Sequence, residues 1–137
     1  MNKTILLLAT LVAGPAAHAA TPAALFDGYC AAAAARAPSY AGPSARHGNE
    51  LFHARGKDWS CASCHTADPR QPGRHAVTGK PIKPLAPAAN PARFTDSAKA
   101  EKWFKRNCND TLGRECTAAE KADLLAYLMS PGNRSTP

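Results

Sequence analysis

Apolar residues in this chain recur at helical spacing in several separate stretches, and no stretch alternates with the period of two that marks a half-buried strand. Residues 22–37 are alanine-rich and predict a helix ended by Pro38. Residues 44–54 predict a second helix, with Ala45, Gly48, Leu51 and Phe52 on one face. A glycine inside a helix costs stability, so the use expected of Gly48 is close approach of another helix. Thr95 is a suitable N-cap for a helix running to Arg106, with Trp103 and Phe104 as its large apolar residues. Thr117-Ala118-Ala119-Glu120 has the form of a capping box. It starts a last helix through Leu124, Leu125, Tyr127 and Leu128, which Pro131 and Gly132 should stop. The segment between the second and third of these helices is different in kind. Residues 58–91 contain Pro69, Pro72, Pro81, Pro84, Pro87 and Pro91, and so many fixed backbone angles and missing donors exclude long regular elements. A loop of that length in a compact domain normally wraps something. The expected fold class is all-α.

The first residues follow another logic. Lys3, the apolar run 4–12 and the small residues of Ala17-His18-Ala19 read as a signal peptide over 1–19. The run is too short to span a bilayer comfortably. Residues 20–137 are then expected as one exported domain, in which 20–40 form an N-terminal helical extension. Export places it in the periplasm. Losing Lys3 takes the net charge from +7 to +6. The excess is concentrated. Between residues 70 and 106 lie Arg70, Arg74, Lys80, Lys83, Arg93, Lys99, Lys102, Lys105 and Arg106, against only Asp96 and Glu101. A one-signed field of this kind steers acidic partners. Nucleic acid, the other usual reading of a basic face, does not fit an exported protein.

Cys61-Ala62-Ser63-Cys64-His65 has the spacing of a c-type haem attachment site. Two thiols three positions apart can add across the haem vinyl groups, and the adjacent His65 is then held at the iron as one axial ligand. Zinc wants a second ligand pair, and a redox dithiol wants a βαβ setting; neither is present in the sequence. A haem would supply the object that the proline-rich loop wraps. The motif and the loop after it are similar to those of class I cytochromes c. That resemblance implies that Pro81 or Pro84 offers a carbonyl to the His65 ring, with Leu85 on the haem face. Trp103 and Phe104 are candidates to line the pocket. Arg93 and Lys80 are candidate partners for the propionates. Of the other cysteines, Cys108 and Cys116 can pair in an oxidising compartment, which leaves Cys30 alone.

The sixth iron position is the open question. An ordinary electron carrier uses a methionine there. The candidate beyond the signal segment is Met129, at the end of the last helix, where it reads as core. His47 and His53 precede the motif on the proximal side and read as exposed. His75, ten residues past His65 in a polar loop, reads as a surface histidine first and as a distal ligand second.

Three segments carry a resemblance: Asn90-Pro91-Ala92-Arg93-Phe94-Thr95-Asp96, then Glu101 through Asp110 with its Asn107-Cys108 pair, then Gly113-Arg114-Glu115-Cys116-Thr117. Together they resemble the sphaeroides haem protein type of class I cytochrome c. That resemblance implies a class I cytochrome c fold around one covalent haem c, with Gly48 and Phe52 packed against Tyr127. It also implies Asn107 as the sixth ligand in the ferric state and a Cys108–Cys116 disulfide beside it. Asn109 does not fall on the family position, and Cys30 matches no family function. Taken as a residue alone, Asn107 could equally cap a helix C-terminus.

The resemblance further implies electrons from a dihaem cytochrome c and a membrane cytochrome b. The leading expectation is a cytochrome whose Asn107 position opens on reduction to bind a small diatomic such as O₂ or NO. A plain electron carrier with permanent six-coordination, and a haem enzyme turning over O₂ or NO, are the alternatives.

Overall fold

The computed structural model describes residues 20–130, so the signal peptide expected over 1–19 and the stop expected at Pro131 and Gly132 lie outside the described residues. Five helices carry the fold: α1 (Pro22–Arg36), α2 (Ala45–His53), α3 (Cys61–His65), α4 (Ser97–Leu112) and α5 (Ala118–Met129). The one departure from all-helical structure among the described residues is a two-residue antiparallel ladder. Its strands are β1 (Gly73–Arg74) and β2 (Pro81–Ile82), with Gly73 opposite Ile82 and Arg74 opposite Pro81. The sequence expectation contained no strand, because a pair this short has no periodicity to detect.

Side-chain caps set the helix starts. Thr21, Ser44 and Thr117 each accept a backbone N–H in the first turn of α1, α2 and α5, and Glu120 completes the capping box of α5. α4 departs from expectation at both ends. Asp96 rather than Thr95 caps it, the Asp96 carboxylate accepting from Lys99 N. Its C-terminus lies at Leu112, well past Arg106, where Gly113 in the left-handed conformation closes the helix. Residues 107–111 (Asn-Cys-Asn-Asp-Thr) are poor helix formers singly. The Cys108–Cys116 disulfide (Cα–Cα 5.6 Å) ties their turn to the start of α5 and compensates.

Two apolar clusters meet along α5. In one, Phe52, Cys108, Cys116, Leu124, Tyr127 and Leu128 are buried, with Cys61, Leu85, Phe94, Phe104 and Leu112 packed at the edge. In the other, Leu25 and Tyr29 of α1 pack with Ala100, Ala122 and Leu125, and Met129 lies against them. Leu25, Tyr29 and Ala33 are spaced four apart, so α1 lays one narrow stripe on α5. α2 crosses α5 at Gly48, where an added Cβ would sit 1.9 Å from the Asp123 carbonyl oxygen. The Phe52 and Tyr127 rings follow at 5.4 Å. The contact expected of Gly48, Phe52 and Tyr127 is present.

Candidate functional site

α3 is a helix of five residues, too short to persist by propensity. Ser60 caps it by accepting from Ser63 N, and Ser63 Oγ in turn accepts from Ser60 N. Behind it, β1 comes so close that a Cβ on Gly73 would lie 2.0 Å from the Cys64 carbonyl oxygen and 3.0 Å from the His65 Cα. Glycine is the residue that permits this approach. Thr66, directly after His65, takes a positive φ of 64° that a β-branched residue adopts only when its surroundings hold it there. The short helix is therefore fixed from three sides.

Cys61 and Cys64 are not paired with each other or with another cysteine; both are half-buried thiols on α3. Burial pushes the Cys61 thiol up, and the Thr111 hydroxyl of α4 lies beside it. Cys64 Sγ accepts from Ala76 N at 3.3 Å. Burial and the nearby Arg93 guanidinium lower His65 to about 4, so its imidazole is neutral at physiological pH and can act as a donor ligand. Leu85, Phe94, Phe104 and Leu112 form an apolar wall on the same cluster that Cys61 packs against. Among the described residues no cluster of three histidine, cysteine or carboxylate side chains could hold a bare metal ion. Two unpaired thiols at haem spacing, a neutral histidine and an apolar wall fit a covalently attached haem.

The other expected residues separate into those brought to this wall and those left outside it. Leu85 and Phe104 are at the wall. Pro84 is half-buried beside it, but its carbonyl accepts from Asn90 Nδ2 (3.1 Å) and Arg93 Nε (3.0 Å) rather than from the His65 ring. Arg93 also donates to the Lys83 carbonyl, so its guanidinium clasps the loop. Pro81 lies exposed in β2. Trp103 joins neither apolar cluster: it is 45% exposed, and the Arg106 guanidinium lies over its ring at 5.7 Å.

Asn107 does not cap α4, since the helix continues five residues further, to Leu112. Its backbone carbonyl accepts from the Thr111 hydroxyl, and its side-chain amide has no hydrogen-bond partner among the described residues. Asn109, two residues on, spends its amide on the Lys105 carbonyl at 2.6 Å. The rival histidines are each engaged. His47 Nδ1 meets Asp123 at 2.7 Å and His53 Nδ1 meets the Asn49 carbonyl at 2.9 Å, both on exposed side chains as expected. His75 Nδ1 accepts from Val77 N and Thr78 N. Met129 packs against the α1 cluster, as its core reading predicts.

Sequence reasoning missed three contributors. Phe94, which stacks on Phe104 at 6.3 Å and holds a positive φ of 60°, was signalled only by its place in the Asn90–Asp96 segment. Thr111, buried beside Cys61, looked like an ordinary helix-end threonine. Asp123 is buried, accepting from Ser44 N and pairing with His47 across the α2–α5 crossing; a single acid in an apolar helix gave no hint of that partner.

Comparison with known proteins agrees with this geometry. Residues 38–128 match the family described as domain of unknown function DUF1924. The chain is 50% identical over 129 residues to the cytochrome c-type protein SHP of Cereibacter sphaeroides, covering 90% of this chain and 95% of that protein. It is 46% identical over 98 residues to cytochrome c'' of Methylophilus methylotrophus, covering 68% of each. The structure of oxidised SHP, described as an oxygen-binding cytochrome c, superposes with a TM-score of 0.70 at 49% identity, over 80% of this chain and 96% of that one. Oxidised cytochrome c'' superposes with a TM-score of 0.73 at 42% identity, over 80% and 93%. With the all-α class I fold, the haem attachment motif and these relatives in agreement, the chain belongs to the SHP-type haem c cytochromes within the DUF1924 family.

Proposed function

We propose that this cytochrome is a periplasmic electron-transfer protein whose sixth iron position is held by Asn107 in the oxidised state and released on reduction, so that a small diatomic such as O₂ or NO can enter. The haem supplies a one-electron iron centre with two axial positions, and the chain determines what occupies them. Cys61 and Cys64 anchor the group covalently. His65, neutral and half-buried, would offer the iron its permanent nitrogen ligand.

The observation that carries the proposal is the uncommitted Asn107 amide. Asn109 on the same helix is engaged, and Met129 packs against the α1 cluster. His47 and His53 are exposed on α2, and the Nδ1 of His75 accepts two backbone N–H groups, which puts its proton on Nε2. An amide is a weak donor beside imidazole or a thioether, so it is retained by ferric iron and lost from the softer ferrous ion. The disulfide at Cys108 restrains the turn that carries Asn107, contributing about 2–3 kcal/mol on the chain-entropy model. The released amide therefore stays near its site and can return on oxidation. The oxygen-binding description of SHP supports the same reading. A dihaem cytochrome c and a membrane cytochrome b are the proposed electron donors, and the basic 70–106 segment suits an acidic one.

The optical spectrum of the reduced protein, with and without CO, tests this directly. Release of Asn107 gives a high-spin ferrous spectrum that CO changes at once. A low-spin ferrous spectrum indifferent to CO would instead mean a carrier with permanent six-coordination.

A further inference from the structure

We infer that the outer face of α4 built from Lys99, Lys102, Trp103 and Arg106 is the docking surface for an acidic electron-donor protein. The inference rests on the electron-transfer reading above and adds to it a place on the molecule. Residues 99, 102, 103 and 106 are spaced i, i+3, i+4 and i+7, so they share one helix face, while Ala100, Phe104, Cys108 and Thr111 turn inward. Lys99 and Lys102 are exposed and have no carboxylate partner among the described residues. Arg106 lies over the Trp103 indole and reaches Asp110 only at 3.8 Å. A half-exposed indole under the Arg106 guanidinium, on one face with two unpaired lysines, has the composition of an interface anchor. Tryptophan and arginine dominate binding hot spots, and the cations steer an acidic surface toward them.

Charge selects the partner. The cations of this face outnumber its acids, so a basic or neutral donor gains nothing from it. The position also suits the chemistry, because Asn107 follows Trp103 by one helical turn. A donor seated there delivers one electron next to the residue proposed to leave on reduction. Contacts between redox proteins are small and short-lived, and a single helix face is enough surface for one.

The test uses the haem-loaded protein and flavodoxin hydroquinone as the acidic protein donor, with stopped-flow reduction rates measured at several ionic strengths. The wild-type bimolecular rate should fall steeply with salt. Lys99→Glu/Lys102→Glu should lower the low-salt rate tenfold or more and flatten its salt dependence. Arg36→Glu/Arg46→Glu, which makes the same charge change on exposed parts of α1 and α2, should lower it less than threefold. Reduction by dithionite should be equal in the two variants. Equal losses in both variants with flavodoxin would reduce the effect to net charge and overturn the inference, as would an unchanged rate in Lys99→Glu/Lys102→Glu. Either failure leaves the CO response of the reduced protein untouched, so it is distinguishable from failure of the Asn107 reading.

Discussion

Single positions in this molecule are decided by what a side chain would meet. Gly48 faces the backbone of α5, with the Asp123 carbonyl oxygen, its carbon and Leu124 N all within 3.0 Å of an added Cβ. Backbone cannot swing aside as a flexible side chain can. Gly48→Ala should therefore push α2 off α5 and destabilise the fold by about 1–3 kcal/mol despite alanine's better helix propensity, read as a lower midpoint in denaturant unfolding. The close approach of Gly48 was legible in the sequence because glycine in a helix has few other uses. The engagement of Asn109, and the freedom of Asn107, were not. Both asparagines look alike in a string, and only the helix register separates the one that reaches the Lys105 carbonyl from the one that does not.

Helix ends show how local chemistry sets the elements. The helices α1, α2 and α5 start within a residue of expectation, where Thr21, Ser44 and Thr117 each accept within the first turn. Of these, only Thr117 is read as a cap from the sequence. The C-terminal half of α4 was invisible to propensity because a cross-link and a left-handed glycine hold it, and both act from outside the helix. At the start of α5 the Glu120 carboxylate accepts from Thr117 N and from both terminal nitrogens of Arg114, and that guanidinium holds its carboxyl down to about 2. A carboxyl whose folded value lies below its unfolded one contributes stability that is complete above the ordinary glutamate range near 4.5 and is lost as pH falls toward 2. Glu120→Gln should thus unfold at lower denaturant than wild type at neutral pH, by about 1 kcal/mol. The gap should close as both proteins are measured between pH 4.5 and 2. A gap that stayed constant through that range would mean the ionised carboxylate is not what stabilises the end of α5.

At the scale of the whole molecule, α1 and α2 brace α5 while α3, the proline-rich loop and α4 surround the haem site. Lys121 helps join these parts, pairing with Glu101 at 2.7 Å and lying over the rings of Tyr29 and Phe104. The attachment motif was fully legible, because covalent chemistry fixes its spacing. The all-α class followed from periodicity. The ladder of β1 and β2, the Arg93 clasp on Pro84 and the His47–Asp123 pair were not legible. Each joins residues distant in sequence through contacts that leave no periodic trace. The Asn107 amide is the proposed sixth donor of the oxidised protein. The ferric optical and electron paramagnetic resonance spectra of Asn107→Ala, with Asn109→Ala as the control, test it most directly. Asn107→Ala should lose the wild-type low-spin ferric signature while Asn109→Ala keeps it; an Asn107→Ala spectrum identical to wild type would contradict the account.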